Sequence, residues 1–460
     1  MDVFSPALNC AARHAGAYLD SLPTRPVWAR RTYDDMLARL GRPLPDASCP
    51  APEVIDELVE HVDPGLTATG SGRFFGFVIG GAHPAALAAD WLTSAWDQNA
   101  GLLGLSPAAA AVETVAGRWL LDLLGLPAGS GVGFVTGGMM ANFTCLAAAR
   151  HAVLDYAGWD VEQRGLVGAP AVRVLVGADR HDTVDLAARY LGLGADALVV
   201  VATDDQGRID VPALVAELGR DAGPAIVCLQ AGEVHTGAFD DFAGAIAVAH
   251  AAGAWVHVDG AFGLWAAAAP ATRHLTEAVG DADSWATDAH KTLNVPYDSG
   301  IAIVRNRAAQ VAAFGVRSDY LLTGDHPEPF DLVPELSRRA RGFSVWAALR
   351  AMGRRGVGEL VDGLHRGAVR MADGIAAIPA AEVVNDVVFT QVMARFGTDD
   401  EVTREVGRRL LSSGIAAVTP ASWRGQAVQR ISVSNRLTGA AEVDATVGAV
   451  RDIVADVCPS

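Results

Sequence analysis

The chain has 460 residues, 51% of them hydrophobic, and a formal net charge of -17. This length and hydrophobic content predict one large domain with a smaller companion. The acidic balance argues against a general binder of nucleic acid or anionic membranes, because both partners attract a basic surface. The five cysteines are scattered without a CxxC pattern, which disfavours a zinc site and a disulfide framework. We therefore expect no metal.

The first residues, MDVFSPALNC, lack a basic segment followed by an apolar core, which is the pattern of a secretory signal. Elsewhere no uncharged apolar run reaches the length needed to cross a membrane. The sequence thus predicts a soluble cytoplasmic protein.

Residues 1–80 are rich in proline and contain short helical patterns such as EVIDELVEHV. They end in the aromatic run RFFGF at residues 73–77. This segment has too little periodic apolar surface to form a core of its own. We expect it to pack against something larger, such as a second subunit.

From residue 81 onward, helix-like stretches alternate with the short apolar runs VGFVTG, VRVLVG, ALVVVA, AIVCLQ, WVHVDG and GIAIVR. Apolar runs without polar alternation, separated by helices, predict a largely parallel sheet covered on both faces. We assign residues 81–345 to this α/β domain. Residues 346–460 read as a smaller α+β domain.

Lys291 is the only lysine of the chain, and the other 35 residues counted as lysine plus arginine are arginines. A lysine amine can lose its proton and condense with an aldehyde, whereas a guanidinium stays protonated. Lys291 follows His290 on a predicted loop beside a strand, a common place for chemistry in α/β folds. It is therefore the first candidate for a covalent catalytic residue. The alternative is a surface lysine that survived by chance.

Three further features follow predicted strands. Asp259 ends the run WVHVDG and could keep a pyridine nitrogen protonated, although an Asp-Gly pair is also a turn signal. Gly137 and Gly138 join a strand to a helix whose first amides could bind phosphate, although ordinary turns look the same and no GxGxxG is present. His181 could stack on a cofactor ring or simply cap a helix. Because strand ends share one crevice in an open α/β sheet, these residues and Lys291 predict one site.

The segments HVDGAFG around Asp259 and DSWATDAHKTLNVPYDSG around Lys291 resemble the group II pyridoxal-phosphate-dependent decarboxylases. This family includes the aromatic amino acid, tyrosine, glutamate and 2,4-diaminobutyrate decarboxylases. The resemblance runs from about Pro23 to the C-terminus and includes residues 73–77 (RFFGF) and 337–341 (SRRAR). It implies the aspartate-aminotransferase-like fold of fold type I. It also implies a homodimer with active sites at the interface, in which residues 1–80 wrap over the partner.

The resemblance also implies roles for individual residues. Lys291 would bind pyridoxal 5'-phosphate as an internal aldimine, Asp259 would pair with the pyridine nitrogen and His181 would stack on the ring. The other predicted cofactor contacts are Gly137, Gly138, Met139, Met140, Asn142, Ala261 and His290. The predicted substrate contacts are Phe77, Leu102, Leu103 and Phe330, with the leucines reaching in from the other subunit. Each of these apolar residues could equally serve the core or an interface.

These assignments predict decarboxylation of an L-amino acid to the amine and carbon dioxide, through an external aldimine and a quinonoid. The alternatives are other pyridoxal-phosphate reactions: oxidation to an aldehyde, oxidative deamination, carbon–carbon lysis or transamination. A further alternative, from a different class, is a dimer that binds the cofactor without catalysis.

The sequence departs from the family pattern at Thr292, where a large apolar residue is usual, and at Ser299, where cysteine or alanine is usual. In animal and plant relatives a loop tyrosine is thought to protonate the reacting carbon, and phenylalanine there diverts the reaction to an aldehyde. The corresponding residues here, 322–335, contain no tyrosine and have Phe330 near that place. His326 is an alternative proton donor.

Four charged residues bear on the choice of substrate. Glu233 and His235 stand in a segment that the family makes rich in threonine and serine, so they could select the substrate or be solvated. Arg430 could bind a carboxylate or pair with a surface acid, and Arg341 could likewise favour an anionic substrate. The sequence leaves the substrate open.

Overall fold

The computed structural model describes residues 3–316 and 328–458. Its first part consists of three helices, α1 (Ser5–Ser21), α2 (Tyr33–Leu40) and α3 (Ala51–Val62). Helix α2 begins with a capping box, because the Thr32 hydroxyl accepts from the Asp35 amide and the Asp35 carboxylate accepts from the Thr32 amide. Within this chain α2 and α3 bury none of their residues, and α1 buries only Cys10. The apolar faces of these helices are therefore left open.

The large domain is built on a seven-stranded sheet with the strand order β1-β7-β6-β5-β4-β2-β3. The strands are β1 (Gly131–Val135), β2 (Arg173–Gly177), β3 (Leu198–Val201), β4 (Ala225–Gln230), β5 (Trp255–Asp259), β6 (Ser284–Asp288) and β7 (Gly300–Val304). Strand β7 runs antiparallel to both of its neighbours, and all other pairs are parallel. The predicted, largely parallel sheet is confirmed.

Helices cover both faces of this sheet. They are α4 (Pro84–Trp96), α5 (Pro107–Leu123), α6 (Gly138–Tyr156), α7 (Val161–Arg164), α8 (Asp182–Tyr190), α9 (Val211–Leu218), α10 (Phe242–Ala251) and α11 (Arg307–Phe314). Short 3-10 turns add Asp63–Gly65, Ala195–Ala197, Gly263–Ala268, Arg273–Thr276, Val279–Asp281 and Pro329–Leu332. Each strand divides its residues between two buried clusters. In β5, Val256 and Val258 belong to one cluster and Trp255 to the other, beside α6.

The second unit contains α12 (Gly342–Ala376), β8 (Ala381–Val383), β9 (Gln391–Phe396), α13 (Asp400–Ser413), β10 (Thr419–Trp423), β11 (Gln426–Ser432) and α14 (Ala440–Val457). Its strands form an antiparallel sheet in the order β10-β11-β9-β8. Helix α12 is kinked at Gly353, whose φ of 62° is left-handed, and it packs on α4, α5 and α14. Since α12 crosses the predicted boundary at residue 345, the proposed domain ranges stay predictions.

The carboxyl ends of β4, β5 and β6 meet at one edge of the large sheet, where their last residues are Gln230, Asp259 and Asp288. The turns that lead from β1 into α6 and from β2 into α8 open at the same edge. This is the usual position of a binding crevice in a parallel α/β sheet. Within residues 3–316 and 328–458, no helix is both long and apolar enough to span a bilayer.

Candidate active site

A cavity of about 170 Å³ lies at this sheet edge. Eight residues that the sequence singled out line it together: Gly138, Met139, Asn142, His181, Asp259, Ala261, His290 and Lys291. They come from five separate segments, so only the fold brings them to one place. The prediction that strand-end residues share one crevice thus matches the arrangement of these side chains.

Lys291 stands on the loop after β6, and its ammonium group faces the carboxylate that ends this strand. Its Nζ lies 3.0 Å from Asp288 Oδ2, and the Lys291 side chain is 21% exposed. His290 Nε2 lies 3.6 Å from the other oxygen, Asp288 Oδ1. Burial lowers the pKa of His290, so this imidazole is neutral at pH 7. The Tyr297 ring stacks on it at 4.2 Å between centroids.

Asn294 holds the backbone of the lysine loop. Its buried side chain donates to the carbonyl of Lys291 at 3.1 Å and to that of Ser434 at 2.9 Å. Its Oδ1 accepts from the amides of Gly81 and Arg436 at 3.0 and 2.8 Å. One side chain therefore ties the lysine loop to the segment before α4 and to the C-terminal unit.

The two departures from the family pattern in this loop are both buried. The Thr292 hydroxyl donates to the carbonyl of Phe262 at 2.9 Å, so it has a partner where an apolar residue would have none. The backbone of Ser299 accepts from the amides of Ala289 and His290 at 3.0 and 3.2 Å. Both residues support the loop, and neither lines the cavity.

Asp259 is buried at the end of β5, and both of its oxygens accept hydrogen bonds. Asn142 Nδ2 donates to Oδ2 at 2.9 Å, and the Ala261 amide donates to Oδ1 at 3.2 Å. The second bond is a local turn contact, which the sequence offered as the alternative reading of this aspartate. The first bond comes from α6 and has no local origin. Two N–H donors favour the ionised carboxylate.

His181 caps α8 and also borders the cavity. Its Nδ1 accepts from the Thr183 amide at 3.2 Å and lies 3.0 Å from the Thr183 hydroxyl. The capping role and the predicted ring-stacking role are therefore compatible, because Nδ1 serves the helix while the exposed ring faces the cavity. Thr183 Oγ1 also accepts from Asn142 Nδ2 at 3.2 Å, which links His181 to the carboxylate of Asp259.

The donor set fits pyridoxal phosphate. Helix α6 starts at Gly138 without a side-chain cap at Gly137, so its first amides are available to a phosphate. A Cβ at Gly138 would lie only 2.7 Å from Asp288 Oδ2, so a side chain there would fill the space. The remaining groups suit the rest of the cofactor: the Lys291 amine suits the aldehyde, the Asp259 carboxylate suits the ring nitrogen, and His181 and Ala261 suit the ring faces.

Several predicted contacts lie outside the cavity of the single chain: Gly137, Met140, Phe77, Leu102, Leu103 and Phe330. Phe77 is 56% exposed, whereas Phe330 is 2% exposed and its amide donates to the carbonyl of Gly101 at 3.1 Å. The Leu103 amide donates to Glu328 Oε2 at 2.6 Å. The roles of these residues stay predictions. His326 lies outside the described residues.

The charged residues considered for substrate choice have structural partners. The buried Glu233 carboxylate accepts from the amides of His235 and Thr236 at 2.7 and 2.6 Å, and it also contacts the His235 ring. It therefore holds its own turn together. Arg430 donates to the carbonyl of Val234, a residue of the cavity wall, at 3.2 Å. Burial lowers the pKa of Arg430.

Arg341 donates from Nε to Asp298 Oδ1 at 2.8 Å, an oxygen on the loop that follows Lys291. This pair joins the start of α12 to the lysine loop. Arg341 does not line the cavity.

Six further residues line the cavity that the sequence reasoning did not assign: Thr183, Gln230, Gly232, Val234, Phe262 and Asp288. Gln230 and Asp288 each end a strand, which is the signal that identified Asp259, so they could have been found in the same way. Thr183 lies within the first turn of a helix and carries no comparable signal.

One Cys–His–Asp group with metal-ligand spacing occurs among the described residues, formed by Cys10, His14 and Asp56 in the N-terminal helices. Arg13 donates to the same Asp56 oxygen at 2.9 Å and to Cys10 Sγ at 3.4 Å. A guanidinium at the centre of the group repels a cation. The cluster therefore forms an ion-pair network between α1 and α3.

The chain matches the model of the pyridoxal-dependent decarboxylase conserved domain over residues 34–396. An L-2,4-diaminobutyrate decarboxylase of Rhizobium meliloti (strain 1021) is 30% identical over 369 residues, which cover 76% of this chain and 71% of that protein. A 4-hydroxyphenylacetaldehyde synthase of Rhodiola rosea is 26% identical, covering 93% and 90%. The crystal structure of Oryza sativa TDC with PLP and tryptamine superposes with a TM-score of 0.92 at 25% identity, covering 99% and 98%.

Proposed function

The chain belongs to the family of pyridoxal-dependent decarboxylases, and from that premise we propose that it removes the α-carboxylate of an L-amino acid as carbon dioxide and releases the amine. It is a carboxy-lyase with pyridoxal phosphate as its cofactor. The observation that carries the proposal is one cavity that holds the sole lysine, a buried strand-end aspartate, a histidine and an uncapped helix start.

Lys291 is the residue that we assign to the covalent bond with the cofactor aldehyde. Its Nζ lies 3.0 Å from Asp288 Oδ2, and this carboxylate is only 2% exposed. Asp288 therefore orients the amine toward the cavity and is well placed to take up a proton that Nζ must lose before it reacts. Arginine cannot take this role, because its guanidinium keeps its proton.

Once bound, pyridoxal phosphate supplies a ring that accepts the electron pair left at Cα when the carboxylate departs. Asp259 is the group that we assign to the ring nitrogen, because its carboxylate already accepts two N–H bonds and so favours the charged form. The first amides of α6 would hold the phosphate. With its Nδ1 engaged by Thr183, His181 is free to carry a proton on Nε2 beside the cavity.

A second candidate reaction is the oxidative conversion of an amino acid to an aldehyde. Two observations favour it. One full-length relative is a 4-hydroxyphenylacetaldehyde synthase, and residues 322–335 contain no tyrosine. Carbon–carbon lysis, transamination and cofactor binding without catalysis stay alternatives of the sequence stage without a supporting contact.

The test is to incubate the purified chain and pyridoxal phosphate with the common amino acids and 2,4-diaminobutyrate, and to follow amine, carbon dioxide and oxygen together. Decarboxylation releases carbon dioxide and the amine without oxygen uptake. Oxygen uptake with an aldehyde supports the second candidate instead. A cofactor converted to its pyridoxamine form indicates transamination, and an unchanged spectrum with every amino acid contradicts catalysis.

We propose that the enzyme is a homodimer and acts in the cytoplasm. Apolar side chains stay exposed on the N-terminal helices and on α4 within one chain, among them Phe4, Leu8, Leu58, Trp91 and Trp96. Helices α1 and α3 also flank an apolar cavity of about 650 Å³. Surfaces of this kind mark protein interfaces, and a second copy would cover them. Analytical ultracentrifugation that finds only monomers at micromolar concentration contradicts the dimer.

A further inference from the structure

Three polar side chains lie in a row beneath α6. In β5, Trp255, His257 and Asp259 occupy alternate positions, so they share the sheet face opposite to Val256 and Val258. On the neighbouring strand, Ser284 is in register with His257. Asn142 covers the row from α6. His257, Ser284 and Asn142 are 0%, 0% and 1% exposed, so water does not satisfy them.

The row forms one continuous chain of hydrogen bonds. Trp255 Nε1 donates to Ser284 Oγ at 2.9 Å, and Ser284 Oγ lies 3.0 Å from His257 Nδ1. His257 Nε2 lies 2.9 Å from Asn142 Oδ1, and Asn142 Nδ2 donates to Asp259 Oδ2 at 2.9 Å. The chain therefore starts at an indole and ends at the carboxylate assigned to the cofactor ring.

Chemistry fixes the direction of each bond. An indole N–H can only donate, and an ionised carboxylate can only accept. Because the Asn142 amide nitrogen serves Asp259, its oxygen needs a donor, which must be the Nε2–H of His257. Burial lowers the pKa of His257 to about 4, so the ring carries a single proton at pH 7. Its Nδ1 is then an acceptor for the Ser284 hydroxyl.

We propose that His257 is a positioning residue that, through Asn142, locks the plane and the ionised state of the Asp259 carboxylate for the cofactor ring. This inference rests on the proposed function, in which Asp259 pairs with the ring nitrogen. Without the His257 donor, nothing in the row holds the Asn142 amide in its present orientation. A rotated amide would present its oxygen to the carboxylate, and the two oxygens would repel each other.

The first test compares three variants of the full chain by their dissociation constant for pyridoxal 5'-phosphate. His257→Phe removes the donor, and its dissociation constant should rise at least about 10-fold, as when other ligating groups lose their supporting partners. His257→Gln can place an amide N–H near the position of Nε2 and should recover most of the affinity. His250→Gln, at a surface histidine outside the site, should match the wild type. Equal affinity for His257→Phe and wild type overturns the proposal.

The second test needs neither the cofactor nor a variant that folds. Nitrogen-15 NMR of the histidine rings in the cofactor-free full chain should show His257 with a protonated Nε2 and an unprotonated Nδ1 from pH 8 to about pH 5.5. A doubly protonated ring or a proton on Nδ1 at pH 7 overturns the proposal. If borohydride reduction fails to fix pyridoxal phosphate on Lys291 of the wild type, the proposed function fails instead, whatever the state of His257.

Discussion

The layer beneath α6 and the N-terminal helices treat buried and exposed groups in opposite ways. Beneath α6, Asn142 and His257 are almost fully buried, and each makes its hydrogen bonds within the chain. In α2 and α3 no residue is buried, and apolar side chains such as Leu58 stay exposed. A buried polar group without a partner is costly, and so is an exposed apolar surface.

The difference teaches which part of the molecule one chain completes by itself. The polar layer needs no second subunit, since its donors and acceptors match one another. The N-terminal helices have a folded backbone but an uncovered apolar face. We therefore expect cofactor contacts to respond to substitutions within the chain and the N-terminal helices to respond to the dimer equilibrium. Four predictions test this contrast.

The largest effect is expected at Lys291. Lys291→Ala and Lys291→Arg should both lose activity by at least about 10⁴-fold, because each removes an amine held at high effective molarity. Only Lys291→Arg keeps a cation opposite Asp288. Equal losses show that the amine, and not the charge, is required. Steady-state rates and borohydride trapping measure this, and residual trapping in Lys291→Ala would contradict the assignment.

Asp259→Asn should lower kcat on the order of 10³-fold, because a neutral amide no longer stabilises a protonated ring nitrogen. The amide of Asn142 would then face a neutral group of the same shape, so the fold should persist. Thermal unfolding checks the fold, and rates with a decarboxylated substrate check the effect. Wild-type kcat in this variant would remove Asp259 from the site.

Burial lowers the pKa of His257 from 6.5 to about 4, which predicts a pH-dependent stability. Between these values the unfolded chain binds a proton that the folded chain refuses, so stability falls as the pH falls through this window. Relative to His257→Gln, the wild type should lose about 3 kcal/mol between pH 7 and pH 4. Urea unfolding of both proteins at several pH values measures the difference. Parallel curves would show that residue 257 does not titrate.

The smallest effect is expected in the N-terminal helices. Leu58→Glu places a charge on the apolar cavity between α1 and α3 and should weaken dimerisation by about 2 kcal/mol, or roughly 30-fold. Val167→Glu, at a residue that is 91% exposed in another loop, is the control and should leave the dimer unchanged. Sedimentation equilibrium compares them. The same dissociation constant for both variants would indicate that α3 is not part of the interface.

Much of the large domain follows from the sequence because its strands are uninterrupted apolar runs. The antiparallel insertion of β7 between β1 and β6 does not, since the run GIAIVR reads the same in either direction. The family assignment and the cofactor were predicted and are confirmed. The individual site residues lie together as predicted, and their roles await the experiments above.

The supporting residues of the site were harder to predict. His257 stands inside a run that looks apolar, and its polar neighbours become visible only when α6 covers the strand. Asn294 contacts Gly81 and Arg436, which lie more than one hundred residues away in either direction. Such contacts depend on three segments meeting, and no local pattern of residues encodes them. By contrast, Asp288 and Gln230 end strands and carried a usable signal.

The presence of a single lysine in the cavity has a practical consequence for spectroscopy. Growing the protein on lysine labelled with nitrogen-15 at the side chain introduces one isotopic reporter, and it sits at the reacting atom. Its chemical shift reports directly on protonation and on the bond to the cofactor, without mutagenesis or resonance assignment. A composition dominated by arginine has therefore made the active site observable in isolation.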